Sequence, residues 1–425
     1  MFRQHYTALF VLFLLASASA AVAEGNAKHP PIIDALIGGK PDLDMRFRWE
    51  NAEIDGLRGS NSVTLRTRLG YGTKPYYGVK AYGQFENVAA LGSDNYFDGV
   101  APNTDGRTPI ADPEATEVNQ AFLQWSGADF GGETFLAKSK TTLLGGRKRI
   151  VLDDARFIGN VVWRQNEQTY DVGLFNSTFG LDGLKTTYGY IFDVHRIFGD
   201  KGAPGSATRD FDSSSHILNA NYAGFEPLAI TAFVYLLDFS DSPANSSDTF
   251  GFRATGKTHL GEKFFVGYTG SYAYQQDAGP NTTNYAANYY NVEGVLGYKT
   301  IGSVTLGYEV LGSDGGVAQF RTPLATAHKF NGWADTFLDN GGPVGLEDIY
   351  VAIAPKLPWG LKGKLAYHHF QSNSGGLDYG DEIDGVVSKK FFGKVTLLAK
   401  FGYYDGGSGG RPDRHRFTLD TSFVF

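Results

Sequence analysis

The feature that most constrains this chain is a strict alternation of side chains with period two, clearest at the C-terminus. From Arg416 to Phe425, one parity carries Phe417, Leu419, Thr421, Phe423 and Phe425. The other carries Arg416, Thr418, Asp420 and Ser422. Successive strand residues point to opposite faces, so the segment offers one apolar and one polar face; a helix would mix the two sets. The other end of the chain repeats the pattern. Leu43, Met45, Phe47 and Trp49 lie opposite Asp44, Arg46, Arg48 and Glu50, and Val63, Leu65, Leu69 and Tyr71 lie opposite Thr64, Arg66 and Arg68. Later sets are Val304, Leu306, Tyr308 and Val310, then Val395, Leu397, Ala399, Phe401 and Tyr403. Strands of this kind suit a sheet with lipid on one side and water on the other.

The connections sort by length. Short ones fall at Thr73–Tyr76, Gly224–Pro227, Thr258–Glu262, Thr300–Gly302, Pro355–Gly360 and Phe392–Gly393. Long ones fall at Asn51–Asn61, Val88–Thr116, His195–Ser213, Gln275–Asn288, Gly312–Gly345, Ser372–Asp381 and Asp405–Asp413. Short and long alternate along most of the chain, as short periplasmic turns and long outer loops do in a transmembrane barrel. A soluble sandwich or propeller has no reason to sort its loops this way. The expected fold is therefore all-β, an antiparallel transmembrane barrel of about 18 strands, with about 16 as the alternative. The count turns on the stretch Glu133 to Gln165.

The N-terminus sets the compartment. Arg3 and His5 precede the apolar run Thr7–Leu15, and Ala21-Val22-Ala23 fits a small-residue cleavage site. That order of charge, core and cleavage site reads as a signal peptide over residues 1–23, leaving one barrel domain over 24–425. No later stretch approaches about 18 consecutive apolar residues, the length of a helical span. Composition agrees with strands and tight turns: 55 Gly, 32 Phe and 24 Tyr against 2 Met. There are no cysteines, which excludes disulfides, thiolate metal sites and cysteine nucleophiles. The net charge of −7, without a basic tail, gives no reason to expect a nucleic-acid partner. Nothing calls for a cofactor or a metal. Expected partners are outer-membrane lipid and lipopolysaccharide, together with the barrel-assembly machinery. The last of these follows from Phe425, which resembles the terminal aromatic of bacterial outer-membrane barrels.

With faces assigned by parity, Arg46, Arg48, Arg66, Arg68, Lys80, Lys394, Lys400 and Arg416 point inward. They come from the first and last strands, which closure makes neighbours, so they share one arc of wall. Arg147 and Arg149 are added as pore-lining candidates. Asp44, Glu50, Glu86 and Asp420 lie on the same arc. Arginine and lysine in a pore attract anions and repel cations. The plainer alternative is a salt-bridged lumen without selectivity. The connection Gly312–Gly345 is too long for a plain linker. It carries Arg321, His328, Lys329, Asn331, Trp333 and Asp335, and is expected to fold inward and constrict the pore. The run Gly406–Gly410 matches G-x-S-x-G but lies between strands, so it reads as a flexible loop rather than a nucleophile elbow. His368 and His369 face opposite sides of a strand and cannot chelate together. Asp378, Asp381, Glu382 and Asp384 read as solvated acids near a loop.

Several segments, taken in order, resemble the alginate-export porin family. They are Leu65–Tyr71, Glu117–Leu123, Gly146–Ile150, Gly159–Gln168, Ala327–Phe337 and Gly345–Asp348. The resemblance implies an 18-stranded barrel with an arginine-rich lumen, an outer loop folded inward, and a polyuronate or related acidic sugar as cargo. The expected function is passive, anion-preferring passage of acidic saccharides or other carboxylates. The rivals are an unselective porin and an outer-membrane enzyme. The second lacks any positioned nucleophile or acid–base pair in the sequence, and no catalytic residue is expected.

Overall fold

A computed structural model of the chain describes residues 31–425 apart from 93–94, 101, 104 and 203–208. The expected signal peptide lies outside the described residues. Eighteen strands follow a short helix, α1 (Pro31–Ile37). They are β1 (Lys40–Ile54), β2 (Ser60–Gly72), β3 (Val79–Ala90), β4 (Ala115–Ser126), β5 (Thr142–Lys148) and β6 (Thr169–Ser177). Next come β7 (Leu184–His195), β8 (Asp210–Phe225), β9 (Leu228–Leu237), β10 (Ser247–Leu260), β11 (Phe264–Asp277) and β12 (Ala286–Tyr298). The last six are β13 (Gly302–Leu311), β14 (Leu346–Pro355), β15 (Lys362–Gln371), β16 (Asp378–Phe391), β17 (Val395–Gly406) and β18 (Arg414–Val424). Each pairs antiparallel with its sequence neighbours, and β1 pairs with β18, so the sheet closes. After α2 (Gly127–Phe130), the uncertain stretch resolves into α3 (Phe135–Lys138), β5 and a long inward segment, which fixes the count at 18.

Closure is completed by the last residue. Leu43 N donates to Phe425 O at 3.1 Å, and Phe425 N donates to Leu43 O at 2.8 Å. Trp49 and Phe417 meet edge-on across the same seam at 5.6 Å, adding an outward aromatic contact. Burial follows parity. In β2, Ser62, Thr64, Arg66 and Arg68 are buried while the alternate residues Val63, Leu65, Thr67 and Leu69 are partly open. Elsewhere the outward face leaves Val292, Leu306 and Leu397 exposed. Two strands run further than alternation alone implied. β1 continues to Ile54, shortening the first outer connection, and β16 begins at Asp378, so four acids expected near a loop belong to a strand.

The seam leads to the first prediction. Deleting Phe425 removes its backbone bonds to Leu43 and one outward ring. It should lower the yield of heat-modifiable, inserted barrel on a denaturing gel several-fold, whereas deleting Gly409 from an outer connection should not. Equal yields would contradict this account of closure.

Candidate functional site

Alternation brings Arg46, Arg48, Arg66, Arg68 and Arg416 onto one stretch of inner wall, and all five are buried. They are covered from within. The loop 149–168 after β5 and the loop 312–345 after β13 enter the lumen and run against each other. Gly159 N donates to Leu324 O at 2.8 Å, and Thr326 N donates to Ala155 O at 3.0 Å. A Cβ on Gly159 would sit 2.3 Å from Thr326 Oγ1, so this crossing admits only glycine.

Each loop is anchored on a different wall by aromatic rings. Phe157 packs on Phe233, Tyr235 and Tyr289 with centroids 5.0, 6.1 and 5.2 Å away. Phe337 packs on Phe370, Tyr379 and Tyr404 at 4.6, 5.4 and 5.7 Å. Rings bury large apolar area, so the upper lumen holds a hydrophobic core of its own.

Where the loops meet the seam, the charges form a closed ring. Arg164 of the first loop contacts Asp335 of the second at 2.8 Å and Glu50 of β1 at 3.2 Å. Arg416 of β18 bonds Glu50 and approaches Asp335 at 3.4 Å. Two arginines and two carboxylates thus alternate, each touching both opposites. Buried charges are tolerated only when paired and hydrogen-bonded, which this ring achieves. Burial alone would raise the Asp335 carboxyl; His328, Arg416 and Arg164 overcome it and hold the group well below the usual range.

Beside the ring, Trp163 is held by three wall and loop groups. The Arg48 guanidinium lies 4.3 Å from its centroid, the Lys400 ammonium 4.1 Å, and His328 stacks on it at 4.3 Å and 10°. Lys400 also lies 4.0 Å from the Trp333 ring. Its ammonium donates to His328 Nε2 at 2.7 Å, and an ammonium has no lone pair to accept. His328 therefore carries its proton on Nδ1 and donates it to Asp335. Burial pushes the imidazole down to about 3 despite the pull of Asp335.

The expected basic arc is present but largely neutralised. Arg48 grips Asp420 through two bonds of 2.8 and 2.9 Å and also reaches Asp112 of the loop 91–114 at 3.4 Å. Arg66 bonds Asp44 at 2.6 Å, and Arg68 bonds Glu86 and lies 3.5 Å from Glu167. Arg46 meets only neutral oxygens, Gln165 Oε1 at 2.9 Å, Val162 O at 3.0 Å and Arg164 O. Arg149 bonds Glu167 at 2.7 Å and stays half-buried. Lys80 shares the face of Gln84 and Glu86, nearer the short-turn end. Lys148 lies 4.6 Å over the inward ring of Phe122. Neither lysine pairs with a carboxylate among the described residues.

Two pore-lining expectations are corrected. Arg147 shares the parity of exposed Leu143, not of buried Leu144, and pairs with Asp171 at 2.9 Å. Asp171 lies between buried Tyr170 and Val172, so this pair and His195 occupy the outer face. No alternation around Arg147 assigns it a face from sequence, and the strand turns it outward. Lys394 lies in the exposed turn after β16, with its ammonium 4.0 Å from the Phe425 ring, and is not on the lumen wall.

The loop 312–345 enters the lumen as expected, and its named residues serve different ends. Arg321 N donates to Gln275 Oε1 at 2.7 Å, and exposed Lys329 donates to Asp154 O at 2.7 Å. Asn331 bonds Glu309 at 2.7 Å and receives Arg156 at 3.0 Å. Trp333 N donates to Asp384 at 3.2 Å and also to Glu382, while Ala334 N reaches Glu382 at 2.6 Å. Glu382 and Asp384 are thus buried wall acceptors for the loop backbone, not solvated loop acids. Sequence reasoning missed Arg156, Trp163, Arg164, Gln165 and Glu167 as lumen residues. The available signal was the run Asn160–Gln168, which lacks alternation yet crowds amides, charges and a tryptophan into a connection.

Two predictions follow from this junction. Asp335→Asn leaves Arg164 and Arg416 facing each other over one remaining carboxylate. It should destabilise the junction by about 3 kcal/mol, lower the thermal transition of the folded barrel and raise single-channel current. Second, His328 stays neutral in the fold down to about pH 3, while the unfolded chain protonates it below about 6.5. Its contribution is complete above the unfolded value and lost progressively as pH falls toward the folded one. The thermal transition should therefore drop between pH 7 and 4 more steeply in the native chain than in His328→Gln, and parallel slopes would contradict this.

No protein-family model and no curated protein matches the chain. Solved structures do match. The crystal structure of Acinetobacter baumannii OccAB4 superposes with a TM-score of 0.68 at 14% identity over 91% of this chain and 97% of that one. That of Pseudomonas aeruginosa OpdK with vanillate gives 0.65 at 16% identity over 91% and 98%. Pseudomonas aeruginosa OccK9 (OpdG) gives 0.66 at 14% identity over 91% and 98%. These likenesses establish the fold, a closed 18-stranded antiparallel barrel like those of the Occ channels. They do not extend to the alginate-export family that the sequence segments resemble.

Proposed function

We propose that the chain is an outer-membrane channel for passive passage of small organic anions, and that it is not an enzyme. The observation that supports this is the uncompensated charge of Lys80 and Lys148, which face the lumen on β3 and β5 beside half-open Arg149. A low-dielectric wall focuses the field of such charges, so a few can bias permeation although the protein is net negative. Arginine and lysine in series, none binding tightly, suit a carboxylate that must enter and leave. Acidic saccharides of the uronate type fit this chemistry, as does an aromatic carboxylate such as the vanillate present with OpdK. An unselective porin is the second reading, because carboxylates neutralise most of the arginine arc.

A salt-gradient reversal potential separates the two readings. The native channel should prefer anions, less so at high ionic strength as charges are screened. Lys80→Gln with Lys148→Gln should lower the anion-to-cation ratio by about twofold and slow carboxylates more than neutral sugars. Native cation preference would overturn the anion reading, and a native ratio near one that the double variant leaves unchanged would leave the unselective porin.

A further inference from the structure

The short-turn rim of the barrel combines two features that the channel reading does not use. Every short connection, or the strand residue beside it, exposes a large apolar side chain. Tyr77, Phe179, Ile301, Trp359 and Phe392 are 71%, 50%, 69%, 79% and 96% exposed. Four of these five hold positive φ, 47° at Tyr77, 48° at Phe179, 58° at Trp359 and 52° at Phe392. Glycine or asparagine is the easier residue at such φ, so bulky rings there are not the default of a turn. At the seam, α1 completes the circle with exposed Ile33, Leu36 and Ile37.

Lysines are interleaved with these rings. Lys74, Lys263, Lys299, Lys356, Lys390 and Lys394 lie in or beside the same connections and are exposed. By sequence, lysines outnumber acids at this end, while the long connections at the other end are acid-rich. Among the described residues only Lys138 of the rim lysines pairs with a carboxylate, Glu133. The turn after β16 shows the combination most compactly. Lys389 lies 4.9 Å over Phe391, Lys394 lies 4.0 Å over Phe425, and Phe392 projects between them in sequence.

We propose that this rim is a seat for anionic phospholipid, with the rings and α1 entering the headgroup–acyl boundary and the lysines contacting phosphate. The apolar ring is continuous with the outward face of the strands, and the lysine excess is complementary to an anionic headgroup layer. Rings at the water–lipid interface are a general device of barrels; the unpaired lysines between them supply headgroup choice. The inference rests on the membrane reading above.

The absence of native cysteine permits a clean test. Trp359→Cys labelled with a fluorophore is reconstituted in vesicles holding equal mole fractions of brominated phosphatidylglycerol or brominated phosphatidylcholine. Quenching by the anionic lipid should exceed quenching by the zwitterionic one by at least about twofold. The excess should shrink in high salt and disappear when Lys356, Lys390 and Lys394 are changed to Gln. A label at Ser374→Cys in a long connection should show no such excess. Equal quenching by both lipids, or an excess indifferent to the lysine changes, would overturn the seat while leaving the channel reading intact. Failure of the unlabelled chain to insert into either vesicle, seen as loss of its heat-modifiable gel shift, would remove the membrane reading and the seat with it.

Discussion

On the membrane reading, the structure depends on one requirement: a sheet exposed to lipid cannot have a free edge. Unpaired backbone groups in hydrocarbon cost several kcal/mol each, roughly the value of a whole small contact network. The chain meets this by pairing β1 with β18, down to the mutual bonds of Leu43 and Phe425. Closure also decides the chemistry of the interior. Arg48 and Asp420 are 372 residues apart in sequence and become partners only because the first and last strands are neighbours.

Within the closed wall the problem becomes one of charge. An inward arginine on a water-filled lumen is stable, but here two loops displace that water. Most buried cations are then met by a carboxylate, as Arg164 and Arg416 are by Glu50 and Asp335, or by an aromatic face, while Arg46 is met by neutral oxygens of the loop 149–168. Lys400 uses the rings of Trp163 and Trp333, whose π faces attract cations without adding a counter-charge. Among the described residues Lys80 and Lys148 also lack a carboxylate partner, the first on β3 near a short turn and the second at the end of β5 beside the loop 149–168. On the channel reading, anion preference rests on these two lysines rather than on the neutralised arginine arc.

Alternation made the wall legible. The faces of β1, β2, β17 and β18 stand as parity assigns them, because a one-residue slip would invert every side chain. Arg147 shows the limit. With few alternating residues around it, its phase could not be read, and Asp171 holds it outside. Lys394 failed for a different reason: parity has no meaning in a turn. The inward path of the loop 312–345 was readable from its length, but the loop 149–168 was not. Its entry depends on partners scattered over β9, β12 and the seam, and on a glycine contact with Thr326 that no local pattern announces. Glu382 and Asp384 could be recognised as acceptors only once Trp333 was seen to arrive beside them.

The ring of Arg164, Asp335, Arg416 and Glu50 has a consequence in time as well as space. Glu50 and Arg416 are 366 residues apart, and the second belongs to the final strand. While β18 is still undelivered, half the ring's cationic partners are missing and Glu50 faces an unfinished interior. The contacts of Phe157 with Phe233 and Tyr289 need no late strand and can form earlier. The interior is thus dated: its greasy anchors can set while the wall is growing, but its charged lock engages only after the wall has shut. A barrel assembled in this order keeps its interior wet until its wall is closed.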